Sequence, residues 1–122
     1  MLDRLVERFR AGTNRFDLAG EALFGVERSG ALVGIGGLNI DPYFEDPTVG
    51  RVRHLYVHPD VRATGVGRKL MQAIETHAKG SFLRLQLFTP EKAAGEFYEA
   101  LGFELLQGVH KVSHAKRFGT GP

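Results

Sequence analysis

The chain has no cysteine. Disulfides, thiolate metal sites and a cysteine nucleophile are therefore excluded at the outset. No apolar run approaches the roughly 18–20 residues of a membrane span. The start, Met1 to Phe9, carries charges of both signs and lacks the pattern of a secretory signal peptide. A cytoplasmic location, away from membranes, is the expectation. There is no strong excess of one charge either. The formal net charge is +2, too small to mark a nucleic-acid partner without a concentrated basic face. The basic stretch from His110 to Arg117 reads as a solvated strand end. Repeats, low-complexity tracts and interdomain linkers are also absent. What remains is 122 residues of ordinary globular composition, enough for one self-supporting core. A single domain over 1–122 is expected, with 22–118 as its core and 1–20 as a partial N-terminal helix and loop.

Hydrophobic spacing orders the elements. Leu2, Leu5, Val6 and Phe9 fall at helical intervals, predicting a helix over 2–11 that stops near Gly12. Ala22 to Glu27 and Ala31 to Ile40 are apolar, β-branched runs joined by Arg28-Ser29-Gly30, a hairpin signal. Gly34, Gly36 and Gly37 in the second run predict a bulge or a close backbone neighbour. A loop follows from Asp41, and then a third strand over 49–57. Leu70, Ile74 and Ala78 form a helical stripe closed by Gly80. Phe82 to Phe88 alternates like a strand. Thr89-Pro90 predicts a helix start, with Thr as N-cap and Pro at its first position. Ala94, Phe97, Tyr98 and Leu101 then lie on one face, and Gly102 ends the helix. Two strands around Gly108 complete the chain. The order α-βββ-α-β-α-ββ implies an α/β fold with a central mixed, largely antiparallel sheet flanked by helices.

The most informative stretch is Val57-His58-Pro59-Asp60-Val61-Arg62-Ala63-Thr64-Gly65-Val66-Gly67-Arg68-Lys69-Leu70. A strand delivers a glycine-punctuated, basic turn to a helix N-terminus. Glycines allow close backbone approach, and the first helical turn presents free N–H groups to an anion. Arg62, Arg68 and Lys69 add positive charge where the helix dipole disfavours it, so a bound anion is the natural counterpart. A P-loop would need Ser or Thr where Leu70 stands. A dinucleotide fingerprint would need a third glycine at that same position, inside a βαβ unit. The pattern R-x-x-G-x-G fits Arg62 to Gly67. In that form the segment resembles the pyrophosphate loop of the GCN5-related N-acetyltransferases, the GNAT family.

The resemblance extends over residues 22–118. Leu55-Tyr56-Val57-His58-Pro59-Asp60 is similar to the family's fourth strand and its exit. Phe97-Tyr98-Glu99-Ala100-Leu101-Gly102-Phe103 is similar to its F-Y-E-x-L-G-F helix. The resemblance implies acetyl-CoA as co-substrate, no metal, and a small-molecule or peptide amine as acceptor. It implies cofactor contacts from Leu55, Tyr56, Val57, Arg62, Ala63, Thr64, Gly65, Val66, Gly67, Arg68, Lys69 and Tyr98. The pantetheine would lie beside Leu55 and Val57, with the Val57 N–H facing the acetyl oxygen. Tyr98 matches the tyrosine that protonates or hydrogen-bonds the leaving thiolate, while its spacing also suits a core aromatic; Phe97 and Leu101 read as core. Many relatives carry a glutamate base on the fourth strand. Arg51-Val52-Arg53-His54-Leu55 has no carboxylate, and His54 is the nearest group of useful pKa. Tyr56 could position a water, and Glu45 and Asp46 could attract a cationic acceptor. Glu91 replaces a common asparagine and reads better as a capping residue. His110 and His114 would lie ~13 Å apart on a strand, too far for one metal.

The chain departs from the family at its start, which lacks the usual first strand and helix. An uncovered sheet edge invites association, so a homodimer is expected. The function expected is N-acetyl transfer by direct attack, since no cysteine can carry an acyl group. The alternative is a catalytically weak acyl-CoA-binding module, or a truncated acetyltransferase with an incomplete acceptor site.

Overall fold

The computed structural model describes residues 3–8 and 18–118. Its elements run β1 (Asp3–Arg8), β2 (Ala22–Arg28), β3 (Ala31–Ile40), β4 (Val49–Val57), α1 (Val66–Ala78), β5 (Arg84–Leu87), α2 (Lys92–Ala100), β6 (Glu104–Leu105) and β7 (His114–Arg117), with a single 3-10 turn at Pro59–Val61. The strands make one seven-stranded sheet in the order β1-β2-β3-β4-β5-β7-β6. Only β4 and β5 pair in parallel. The mixed, largely antiparallel sheet expected from the sequence is present.

The first element is a strand, not a helix. Residues 3–8 pair antiparallel with β2, Asp3 opposite Arg28 and Val6 opposite Gly25. Helical spacing misled because Leu5 and Val6, adjacent in sequence, serve opposite faces of a strand. Val6 closes over Gly25 together with Leu32, and Leu5 lies over Phe24 in a groove beside α1. Arg28 fastens the strand with two bonds to Asp3, Nε to Oδ1 at 2.7 Å and Nη2 to Oδ2 at 3.0 Å. Tertiary pairing thus overrides local periodicity. β1 is thereby the edge strand on this side of the sheet. The rest of the predicted helix and loop, residues 9–17, lies outside the described residues.

The helix α1 is where the core forms. Val66, Leu70, Met71, Ile74 and Ala78 are buried. They pack on β3, whose glycines admit them: a Cβ on Gly34 would lie 2.8 Å from Val66 Cγ1, and one on Gly36 would lie 3.0 Å from Ile74 Cδ1. Lys116 on β7 reaches both Glu75 of α1 and the Leu101 carbonyl that ends α2, each at 2.7 Å. Both helices therefore lie on one face of the sheet. No helix covers the other face among the described residues. There Asp41, Arg51 and Gln86 form a buried polar cluster.

The second helix begins two residues later than Thr89-Pro90 suggested. Glu91 is its N-cap, and the Thr89 hydroxyl instead accepts from the Glu91 N–H at 3.2 Å. Its end follows the expected form: Gly102 has φ +98°. Its N–H bonds the Glu99 carbonyl, and the Phe103 N–H bonds that of Tyr98, both at 3.0 Å, the paired closure of a Schellman motif. Gly95 lets α2 approach His114 on β7 closely, and His114 Nε2 donates to Glu99 Oε2 at 2.8 Å.

The Arg28 hydrogen bond is the chief reason the Asp3 carboxyl sits below its ordinary value of 3.8. A lowered carboxylate pKa contributes stability above the unfolded value, and that contribution is lost as pH falls through the folded one. Amide protection of β1, measured by hydrogen exchange, is expected to hold at pH 6. It should fall below about pH 4 before that of β3 and β4. Equal acid sensitivity in all three strands would remove the role given to this pair.

Candidate functional site

The site begins with an irregularity in β4. Gly34 pairs with Val57 and Ile35 with Tyr56, but Gly37 pairs with Arg53. His54 and Leu55 therefore face Gly36 alone. His54 has φ +59°, a left-handed backbone rare for a residue with a β-carbon. This β-bulge bends the second half of β4 away from its neighbour. Pairing with β5 stops at Arg51 opposite Gln86, and the two strands part beyond it.

Strand alternation then fixes which backbone groups are exposed. The His58 N–H bonds Val33 O on β3 at 2.8 Å. Tyr56 shares that orientation, so Leu55 and Val57 turn their N–H and C=O groups to the opposite edge, toward the gap. There the Val57 carbonyl accepts from Arg62 Nε at 3.0 Å. The gap opens into a groove of about 670 Å³. Leu55, Tyr56 and Val57 form one wall, the loop residues Arg62, Ala63, Gly65, Gly67 and Arg68 its end, and Glu91, Ala94 and Phe97 the other wall.

The loop is built to leave donors open. His58 accepts the Asp60 N–H at 3.1 Å and opens the 3-10 turn. The Thr64 hydroxyl donates back to the Val61 carbonyl. Ala63 and Gly65 both take positive φ, +66° and +92°. Gly65 is the N-cap of α1 and offers no side chain to its first turn. The first intrahelical acceptor is Gly65 O, bonded by Lys69 N at 3.0 Å. The N–H groups of Val66, Gly67 and Arg68 precede that bond and have no intrahelical partner. Gly67 has a different reason to be glycine: a Cβ there would stand 3.2 Å from Phe97 Cζ. Arg68 and Lys69 are exposed beside this terminus, as is Thr64; Val66 is buried beneath it.

The other residues singled out from the sequence fall in different places. Tyr98 is 7 % exposed and belongs to the core. Its ring meets Phe97 and Phe103 edge-on at 5.2 and 5.6 Å, and burial pushes its phenol up to about 12. Phe97, read as core, is only partly buried and lines the groove. Sequence reasoning missed this wall; the small residue across from it, Gly67, was the available signal. Glu91 is the α2 N-cap but makes no side-chain cap bond. It also lines the groove. His54 is exposed at the bulge, one residue before the groove wall. Glu45 and Asp46 are exposed in the 41–48 loop, where Asp46 is bound to Thr48. His114 is buried against Glu99 and Ser113 while His110 is exposed. Among the described residues no group of His, Asp and Glu could hold a metal, and no helix is long and apolar enough to cross a membrane.

Comparison with known proteins agrees with this geometry. The chain is 38% identical over 93 residues to mycothiol acetyltransferase of Thermobispora bispora, a match covering 72% of this chain and 31% of that protein. The chain thus spans under a third of that relative's length. A crystal structure from Exiguobacterium sp. 255-15, assigned as an acetyltransferase, superposes with a TM-score of 0.76 at 32% identity, over 84% of this chain and 66% of that one. N-acetylglutamate synthase of Neisseria gonorrhoeae, solved with coenzyme A and N-acetyl-glutamate, shares the fold (TM-score 0.68, 21% identity, 80% of this chain and 26% of that one). The family model of the GNAT acetyltransferase domain matches residues 19–105, which takes in the bulged strand, the glycine loop and both helices, and the chain belongs to that family.

Proposed function

We propose that this chain binds acetyl-CoA along the groove and transfers its acetyl group to a primary amine by direct attack. One observation carries the reading: an uncapped, cation-flanked helix N-terminus and an unpaired strand edge open into the same groove. These features suit a molecule with a pyrophosphate at one end and an amide-bearing arm at the other. The Val66, Gly67 and Arg68 N–H groups receive the pyrophosphate, with Arg62, Arg68 and Lys69 supplying charge. Ala63, Thr64 and Gly65 shape the turn around it. Leu55 pairs with the arm's amides as a further strand would, Val57 meets the acyl end of the arm, and Tyr56 contributes to the same wall. Coenzyme A reported with a protein of the same fold supports the choice of donor.

When bound, acetyl-CoA supplies an activated thioester. The Val57 N–H stands ready to donate to the acyl oxygen as negative charge builds there. The attacking amine forms the new C–N bond, the C–S bond breaks, and the products are an acetamide and a thiol. Tyr98 donates a hydrogen bond or a proton to the leaving sulfur. His54, at the bulge, takes the amine's proton directly or through water. The acceptor approaches from the face opposite α1 and α2, where the sheet has parted.

A second reading, an acyl-CoA-binding module with feeble catalysis, draws on two observations. No carboxylate stands on β4, and Tyr98 is packed in the core rather than lining the groove. Acetyl-CoA titration with an amine panel, followed by thiol release, separates the two: binding without turnover on any amine favours the module.

Two variants test the assignments. Gly67→Asp would set a carboxylate among the pyrophosphate donors and press on Phe97. Calorimetry should then find no measurable acetyl-CoA binding by a protein whose circular dichroism is unchanged. Unaltered affinity would refute the location of the pyrophosphate. Tyr98→Phe should lower kcat by about 10²-fold with little change in acetyl-CoA affinity. If kcat is kept and only the melting temperature drops, Tyr98 is a packing residue.

A further inference from the structure

On the face opposite α1 and α2, the loop after β3 folds back over the first half of β4. Asp41, 1 % exposed, spends both carboxylate oxygens within the fold. Oδ2 accepts from Arg51 Nε at 3.0 Å and Gln86 Nε2 at 3.2 Å, and Oδ1 from the Tyr43 N–H at 2.8 Å. Arg51, 4 % exposed, is not spent. Its Nη2 is buried and has no hydrogen-bond partner among the described residues. A buried guanidinium N–H left unmade is costly, and such a group in a folded protein calls for an explanation.

The guanidinium borders a hollow of about 300 Å³ lined by Tyr43, Arg51, Phe88 and Lys111. The Tyr43 ring holds two cations, the Arg51 guanidinium 4.8 Å and Lys111 Nζ 5.0 Å from its centroid. Lys111 is presented from a left-handed backbone, φ +56°, a conformation that costs energy in a residue with a side chain. Asp41 offsets one of the two positive charges, so the hollow keeps a net positive charge. Phe88 and Tyr43 are half-exposed and give it apolar flanks. Its position matters equally: Arg51 is the last β4 residue paired with β5, and the strands part immediately beyond it.

We propose that this hollow receives a carboxylate of the acceptor, so that the favoured substrates are amines that carry a carboxylate roughly 13–20 Å away, about four to six residues along a strand, as short peptides with a free C-terminus do. The inference rests on the acetyl-transfer reading for its chemistry, not for its geometry. The Arg51 fork and the Lys111 ammonium supply the charge-assisted bonds that such a group accepts. The carboxylate is held at the base of the gap while the amine reaches along β4 toward the groove wall at Leu55 to Val57.

The test measures initial rates with acetyl-CoA for a panel of extended peptides about four to six residues long, each against its C-terminal amide, with spermidine as a carboxylate-free amine. At least one free acid should exceed its amide by about 10-fold or more in kcat/KM, chiefly through KM. Lys111→Glu, at an exposed residue outside the Asp41 cluster, should shrink or reverse that ratio. Arg51→Lys should do the same by keeping the charge and losing the fork. If Arg51→Lys fails to fold, Lys111→Glu decides alone. Acids and amides used equally, or spermidine preferred, would overturn the inference while leaving acetyl transfer intact. If no amine is acetylated, the activity reading fails. Calorimetric titration of the same acids and amides into protein saturated with coenzyme A then decides the inference: selective binding of acids upholds it, and no selectivity or no binding ends it.

Discussion

Everything in this molecule that bears on function follows from one interruption: β4 is paired on both sides for its first three residues and on one side thereafter. Two local causes produce it. On β4, the bulge at His54 and Leu55 turns the strand out of the sheet plane. On the β5 side the chain turns toward β7 instead. Leu87 O accepts from the Ser113 N–H, and the Thr89 N–H goes to Ser113 Oγ, each at 2.9 Å. Pro90, next in line, has no N–H to offer β4 at all. The sheet cannot close there, and the unpaired edge of Leu55 and Val57 is left for a ligand. An unpaired edge is ordinarily an association hazard; here it forms one wall of a groove and is partly covered by Arg62.

The interruption also organises the two faces. On the helix face, the apolar side of α1 seats on glycines of β3, which brings the helix N-terminus down to the end of the gap. On the other face, the last paired rung carries a buried ionic cluster, Asp41 with Arg51 and Gln86. Replacing such a cluster by apolar residues is often neutral for stability, while breaking one costs about 3–5 kcal/mol. Stability alone therefore gives little reason for it. Its placement at the rung where the strands divide gives a better one. It fixes an arginine in a single orientation beside the opening. The donor and acceptor sides of the proposed reaction are thus assigned to opposite faces by the same few residues of β4.

How much of this was legible in the sequence depends on whether the signal was local. The loop from Arg62 to Lys69, the hairpin at Arg28 to Gly30 and the Gly102 terminus were legible because each is a short-range conformational demand with its own residue chemistry. The β1 strand was not. Leu5 and Val6 suit a helix stripe as well as the two faces of a strand, and only the β2 edge and Arg28 decide between them. The bulge was half legible: Gly34, Gly36 and Gly37 announced a close neighbour, but nothing local marks His54 as the residue that takes the left-handed backbone. Arg51 was passed over as one basic residue of a strand. Its bond to Asp41 and the bond from Gln86 to that same carboxylate span 10 and 45 residues, a relation no window along the chain contains.

Burial sharpens what Tyr98 contributes in the proposed reaction. A free phenol of pKa about 10 facing a thiol of about 8.5 would be a workable proton donor. Pushed up to about 12 by burial, Tyr98 is a much weaker acid than the thiol it would protonate. Complete transfer to the thiolate then runs uphill by roughly 3.5 pKa units, on the order of 5 kcal/mol. The leaving sulfur is better served by a phenol that stays protonated and donates a hydrogen bond, the sulfur's proton arriving from solvent. The raised phenol stays protonated across the pH range in which the amine attacks. Its edge-on contacts fix the ring between Phe97, which lines the groove, and the buried Phe103. The same packing that makes Tyr98 look like a core residue keeps its hydroxyl neutral, so core and catalytic roles need not compete for it.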